Sequence, residues 1–293
     1  MFCKVSIANP VEKVNEPLHL PQIFGMICEK TARESGETMY DQNGPIGVFD
    51  SGVGGISVLR HLVREMPGER FLYFGDSANA PYGTRPTEEI KALTFRAAEQ
   101  LLSRGCKALV LACNTATSVA AKDLRLALPE TIIIGIEPAL KPAALRFPGG
   151  TVGVIATPAT LRDGSKFTRL LAKYEQDCTV VKLPAPGLVE LVEQGKAESA
   201  ETEELLRPLL EPWQGKLDGL VLGCTHYPFA QPVIEKLLPG TMLFDGGAGT
   251  ARHTRRRLAE AGLLREGGTG EVIFENSCGS REMLALCESL LED

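Results

Sequence analysis

Residues 109–117 read LVLACNTAT, and residues 220–228 read LVLGCTHYP. Each opens on aliphatic side chains without polar alternation, which predicts a short strand covered on both faces, as in a parallel sheet. Each then passes through a cysteine to polar side chains, Asn114 and Thr115 in the first and Thr225 and His226 in the second. Cys113 and Cys224 lie 111 residues apart. A second pair, IGVFDSGVGG at 46–55 and VGVIATPATL at 152–161, is offset by 106 residues. Offsets this similar predict two halves of one topology, an old duplication.

The pattern extends outward from these four segments. Apolar runs at 45–50, 70–75, 108–112 and 131–136 alternate with helical spacing at 56–64, 87–104 and 115–126. The series restarts with strands at 151–156, 179–183 and 219–223 and helices at 161–174, 188–194, 200–210 and 229–237. A strand at 241–244, a helix at 249–261, a strand at 272–276 and a helix at 281–290 complete it. Strands alternating with helices predict an α/β fold. We expect two pseudosymmetric lobes, each a mostly parallel sheet flanked by helices, with the active site in the cleft between them. Residues 1–44 have no clear period and contain Pro10, Pro17, Pro21, Gly36 and Gly44. They read as a largely irregular, dispensable extension with one short helix, and Met39 is a candidate alternative start.

Bulk composition narrows the class. With 293 residues there is room for two lobes, and 44% apolar with 23% charged residues is ordinary for a globular chain. A net charge of −6 speaks against nucleic acid, which demands a basic face. The cluster Arg255–Arg257 reads as a solvated helix face. No apolar run is long enough for a membrane span. The first twenty residues alternate apolar and polar side chains and lack the continuous apolar segment of a secretory signal, so a cytoplasmic, reducing setting is expected. The eight cysteines include no C-x-x-C pair, which argues against a zinc ribbon and for free thiols.

Ligands of parallel α/β sheets bind beyond the carboxyl ends of strands. Two facing lobes would therefore present Cys113 and Cys224 from opposite sides of one cleft. Inverting a stereocentre by deprotonation needs a base on one face of a planar intermediate and an acid on the other. A thiolate and a thiol serve in both directions, provided neighbours help each sulfur to ionise. Asp50, at a strand end, and His226, two residues after Cys224, are candidate helpers. Each has a plainer reading as well: a small buried cysteine, a helix-capping aspartate, a structural histidine. Matching cysteines in both halves weigh against the plainer reading. The turn SGVGG (51–55) can offer backbone N–H groups to a carboxylate, yet it matches neither a P-loop nor G-x-G-x-x-G. Asn114, Thr115, Thr157, Thr160 and Thr225 stand at the same strand ends as hydrogen-bonding groups or helix caps.

FDSGVGG (49–55), PYG (81–83), ACNTA (112–116) and GCTHYP (223–228) together resemble the glutamate racemases of bacterial cell-wall synthesis. The resemblance runs in order from about residue 45 to the C-terminus. It implies interconversion of L- and D-glutamate for peptidoglycan, with no cofactor and no metal. It implies that Cys113 takes the proton from D-glutamate and Cys224 from L-glutamate, assisted by Asp50 and His226. Glu193, in LVELVEQG (188–195), resembles a glutamate that supports the histidine. Substrate contacts would fall on Asp50, Ser51, Pro81, Tyr82, Gly83, Asn114, Thr115, Thr157, Thr160, Thr225 and His226. The family fold also crosses back, so 45–138 with 240–293 would form the first lobe and 139–239 the second. Some relatives carry an extension and are activated by UDP-N-acetylmuramoyl-L-alanine, although residues 1–44 show no nucleotide-binding feature. Glutamate is the expected small-molecule partner, to a monomer or homodimer. An aspartate or hydantoin racemase, a single-thiol decarboxylase and a two-lobed ligand receptor are the alternatives. The THYP segment and the paired thiols favour glutamate racemisation over all three.

Overall fold

The computed structural model of the protein describes residues 2–5, 40–161, 166–174 and 176–292. Two sheets organise them, and every pairing within each is parallel. The first comprises Phe2–Val5 (β1), Ile46–Asp50 (β2), Arg70–Gly75 (β3), Ala108–Leu111 (β4), Ile132–Gly135 (β5) and Glu271–Asn276 (β10), in the order β1-β10-β3-β2-β4-β5. The second comprises Thr151–Ala156 (β6), Thr179–Pro184 (β7), Gly219–Leu222 (β8) and Met242–Phe244 (β9), in the order β7-β6-β8-β9. The segments β3-β2-β4-β5 and β7-β6-β8-β9 have the same topology. Their registers agree with the sequence offsets: Ile46 sits opposite Ala108, and Val152 sits opposite Gly219.

Burial explains the continuous apolar runs. All five β2 residues and all four residues of β4 and of β8 are buried. One face of the first sheet packs on Ile56–Glu65 (α1), Gly247–Glu260 (α10) and Arg281–Glu292 (α11) through Leu59, Leu258 and Leu284. The other packs on Thr87–Ser103 (α2) and Asn114–Ala127 (α3) through Leu101 and Leu124. The second sheet is covered by Leu188–Glu193 (α7), Ala200–Leu210 (α8) and Gln231–Leu237 (α9) on one side. Leu140–Arg146 (α4) covers the other. Val192 and Phe229 of the second lobe join the core of the first, so apolar contact holds the lobes together behind the cleft.

Several expectations need correction. Residues 1–44 are not wholly irregular, because β1 extends the first sheet, with Phe2 opposite Glu271 and Val5 opposite Phe274. It adds to the sheet as an edge strand, with β10 supplying the open ladder. The short helix expected elsewhere in that extension lies outside the described residues. Helix α4 was not foreseen, and Pro142 falls early enough in it to be tolerated. The helix expected at 161–174 begins instead at Pro158 (Pro158–Leu161, α5), and a separate helix (α6) spans Lys166–Leu171. The crossing back to the first lobe comes after Phe244 rather than at residue 240, because β9 pairs with β8. No helix among the described residues is long and apolar enough to cross a membrane.

Candidate active site

From β2 the chain winds to β3 on one side and later to β4 on the other, opening a crevice between β2 and β4. The second sheet repeats this between β6 and β8. Such reversal points are where open parallel sheets bind ligands. Asp50 ends β2, Cys113 follows β4, Thr157 follows β6 and Cys224 follows β8. Residues from both crevices meet directly: Ser57 Oγ donates to the Thr225 carbonyl at 2.8 Å, and Thr225 Oγ1 donates to Asp50 Oδ2 at 3.0 Å.

Cys113 is the N-cap of α3, and its sulfur accepts from the Ala116 N–H at 3.5 Å. Ser51 Oγ lies 3.4 Å from that sulfur. Burial pushes the Cys113 thiol up to about 12, and the Asp50 charge adds to it. Cys224 contributes in the same direction. The helper expected in contact with this thiol was Asp50, but the hydrogen-bonding neighbour is Ser51. Asp50 acts on it through charge while accepting from Gly52 N–H and Thr225. Burial raises the Asp50 carboxyl to about 6, against the lowering effect of His226.

On the opposite side Cys224 Sγ lies 3.7 Å from His226 Nδ1, and His226 Nε2 lies 2.6 Å from Glu193 Oε1. Burial disfavours the imidazolium, but the Cys224 and Glu193 contacts outweigh it and hold His226 well above its ordinary value. Burial likewise opposes ionisation of Glu193, and the histidine overcomes it, leaving the carboxyl below its usual range. Asp50, His226 and Glu193 thus form one charged group set spanning both lobes.

The glycine-rich turn does bind anions, but they are the protein's own. Gly52 N–H donates to Asp50 Oδ1 at 3.0 Å, and Val53 N–H donates to Glu193 Oε1 at 2.7 Å. Glycine is needed here for close approach: a Cβ on Gly52 would fall 1.8 Å from Glu193 Oε1, and one on Gly54 would fall 2.2 Å from His226 Nδ1. The turn thus offers backbone N–H groups to carboxylates as its sequence suggested, and the carboxylates are those of Asp50 and Glu193.

The remaining predicted residues converge on the same place. Asn114 and Thr225 are buried beside the two cysteines, and Thr115 is half-buried in the first turn of α3. Asn114 Oδ1 is buried and has no hydrogen-bond donor among the described residues. A buried carbonyl oxygen left unpaired is costly, so Asn114 Oδ1 keeps its accepting capacity uncommitted within the described residues. Thr157 and Thr160 are buried, with their hydroxyls 3.1 Å apart. A Cβ on Gly83 would sit 3.3 Å from Thr157, so Pro81, Tyr82 and Gly83 of the first lobe bear on the second. The Tyr82 hydroxyl donates to Asp76 Oδ2 at 2.7 Å, and burial raises its pKa further. Its proton is thus committed within the protein. Three residues near the site escaped the sequence reading: Asp76, Ser77 and Asn276. Asp76 and Asn276 stand at the ends of β3 and β10, the rule that found Asp50. Among the described residues no three His, Cys, Asp or Glu side chains converge as a metal-ion ligand set.

Comparison with known proteins agrees with this geometry. The family described as Asp/Glu/Hydantoin racemase matches residues 46–254. A glutamate racemase of Clostridium perfringens is 46% identical over 254 residues, covering 86% of this chain and 97% of the relative. The glutamate racemase of Francisella tularensis, crystallised with D-glutamate, superposes with a TM-score of 0.75 at 29% identity, covering 86% of this chain and 95% of that one. That of Escherichia coli, crystallised with L-glutamate and the activator UDP-MurNAc-ala, has a TM-score of 0.68 at 28% identity, covering 80% and 98%. With its paired thiols at matching strand ends and a profile match across most of its length, this chain belongs to the Asp/Glu/Hydantoin racemase family.

Proposed function

We propose that the protein interconverts L- and D-glutamate, without a cofactor, by moving the Cα proton between Cys224 and Cys113. The observation that carries this reading is the pair of thiols, one from each lobe, at equivalent strand ends that the Thr225–Asp50 hydrogen bond joins. Each has its own partners: Ser51 and the Asp50 charge on one side, His226 and Glu193 on the other.

A Cys113 thiol held near 12 is a proton donor. His226, whose Nδ1 faces the Cys224 sulfur at 3.7 Å, is the group placed to take the proton of that thiol. In our reading Cys224 removes the proton of L-glutamate, and Cys113 returns one to the opposite face of the planar carbanion. The reverse reaction needs Cys113 ionised, with Asp50 as proton acceptor and the substrate ammonium offsetting the added charge. Asn114 Oδ1 is the acceptor for that ammonium. Ser51, Thr115, Thr157, Thr160, Thr225 and the Pro81–Tyr82–Gly83 turn bind the two carboxylates, with hydroxyls and backbone rather than buried cations. Free thiols require a reducing compartment, so we place the enzyme in the cytoplasm, supplying D-glutamate for peptidoglycan. A peptidoglycan-precursor activator is tested by adding UDP-N-acetylmuramoyl-L-alanine to the assay and looking for a rise in kcat/KM.

The decisive assay follows circular dichroism of L- and D-glutamate with both aspartates as comparison. Decay of the signal from both glutamates supports the reading. Decay with aspartate alone assigns the other substrate, and a constant signal with all four rejects racemisation.

A further inference from the structure

A run of hydrogen bonds leads from the end of β10 to the Cys224 sulfur, and its polarity is determined atom by atom. The Cys278 backbone N–H donates to Asn276 Oδ1 at 3.0 Å, and the Cys278 thiol reaches the same oxygen at 2.9 Å. A backbone N–H can only donate, so this oxygen is the amide carbonyl and the Asn276 orientation is fixed. Asn276 Nδ2 then donates to Ser77 Oγ at 3.0 Å. With its oxygen accepting there, Ser77 directs its own hydrogen to Glu193 Oε2 at 3.1 Å. Glu193 Oε1 accepts from Val53 N–H and from His226 Nε2. With Nε2 carrying the hydrogen toward Glu193, the Nδ1 atom is the one left to exchange a proton with Cys224 Sγ.

We infer that Ser77, oriented by Asn276, is a positioning residue for the second-lobe base: it fixes the Glu193 carboxylate, hence the His226 ring and tautomer, hence the proton exchange at Cys224. Both residues belong to the first lobe, while the base they orient belongs to the second. Asn276 is 2% exposed and Glu193 is held from two sides, so the arrangement has little freedom to adopt another polarity. The inference rests on the racemase reading, and it adds a group that acts through Glu193 rather than by bonding to either sulfur.

The test compares Ser77→Ala and Ser77→Thr with the full-length parent, using pH profiles of kcat/KM for both glutamate enantiomers. It also measures the rate of alkylation by iodoacetamide at each cysteine, resolved by peptide mass spectrometry. Ser77→Ala removes a donor to a charged group, so kcat/KM falls about tenfold. Glu193, less satisfied, holds the imidazolium proton more tightly, so the alkaline limb of the profile moves up by about one pH unit. Alkylation at Cys224 changes its pH dependence, while alkylation at Cys113 keeps the parental one. Ser77→Thr keeps the hydroxyl and restores the profile. A parent that fails to racemise glutamate sinks the functional reading. A parent that racemises, beside a Ser77→Ala variant with parental pH profile and parental Cys224 alkylation, sinks the present inference alone. So does a Ser77→Thr variant as impaired as Ser77→Ala.

Discussion

Thr225 of the second lobe donates a hydrogen bond to Asp50 of the first, Oγ1 to Oδ2 at 3.0 Å, although 175 positions separate them in the chain. Asp50 ends β2, and Thr225 follows the cysteine after β8. The contact therefore joins the two strand-reversal points and ties the partners of one thiol to those of the other. His226 also lowers the Asp50 pKa, so charge on one side of the site acts on the other.

Gly54 tests the close packing. A Cβ at this position would fall 2.2 Å from His226 Nδ1, so Gly54→Ala must push the imidazole off the Cys224 sulfur. We expect kcat/KM to fall by about 10² or more while the fold persists. Steady-state kinetics with a thermal melt checks this. Parental kinetics would show that the ring position is unimportant.

The Asp50 carboxyl, raised to about 6 by burial, gives the pH dependence a sign. As an acceptor for the Cys113 proton it must be ionised, so kcat/KM should fall as pH drops through about 6. Stability runs the other way. A group whose folded pKa is raised stabilises the native state in its neutral form, and that contribution is lost as pH rises from about 4 to about 6. The difference is on the order of 3 kcal/mol. Denaturant titrations of the parent and Asp50→Asn at pH 4 and pH 8 measure it: the substitution should be relatively more favourable at pH 8.

Far from the cleft, Lys107 and Glu69 form a buried ion pair at 2.7 Å, with both side chains almost fully excluded from water. Glu69 also accepts from the Arg265 N–H, and Lys107 also donates to the Gln42 carbonyl. Lys107→Ala strands a buried carboxylate and should cost about 3–5 kcal/mol in urea unfolding, with no direct effect on the two thiols.

The same network divides the N-terminal extension. Tyr40 bonds to Thr131, Gln42 donates to the Leu264 carbonyl, and the Gln42 carbonyl accepts from Lys107. Removing residues 1–44 discards all three contacts, whereas removing 1–39 keeps them. The longer deletion should be less stable than the shorter by about 1–3 kcal/mol, read from urea midpoints. Equal stability would show that the contacts of residues 40–44 contribute nothing measurable.

Legibility followed chemistry and locality. The apolar runs at β2, β4, β6 and β8 were readable because strands covered on both faces carry no alternating polar residues. Cys113, Cys224 and Asp50 were readable because strand ends are where such sheets do their work. Glu193 came only through family resemblance: nothing in LVELVEQG indicates that its carboxylate reaches the turn after β2. Asp76, with its local bonds to Asn79 and Tyr82, stands at a strand end like Asp50 and was overlooked, whereas Ser77 and Asn276 were missed because their contact depends on β10 pairing with β3, strands from distant parts of the chain. The fate of the SGVGG turn was missed for the same reason. A glycine turn advertises anion binding, yet only the folded lobes show that the anions are Asp50 and Glu193.

The most direct measurement is hydrogen exchange at Cα in deuterium oxide, followed by proton NMR together with chiral analysis. Parent enzyme, Cys113→Ser and Cys224→Ser are each given L-glutamate and, separately, D-glutamate. A carbanion bracketed by two sulfurs requires that the parent yield the opposite enantiomer carrying a solvent deuteron, and that neither variant yield it at an appreciable rate. Inverted product from either single-thiol variant at near-parental rate, or product from the parent that keeps its original hydrogen, would contradict the two-thiol mechanism.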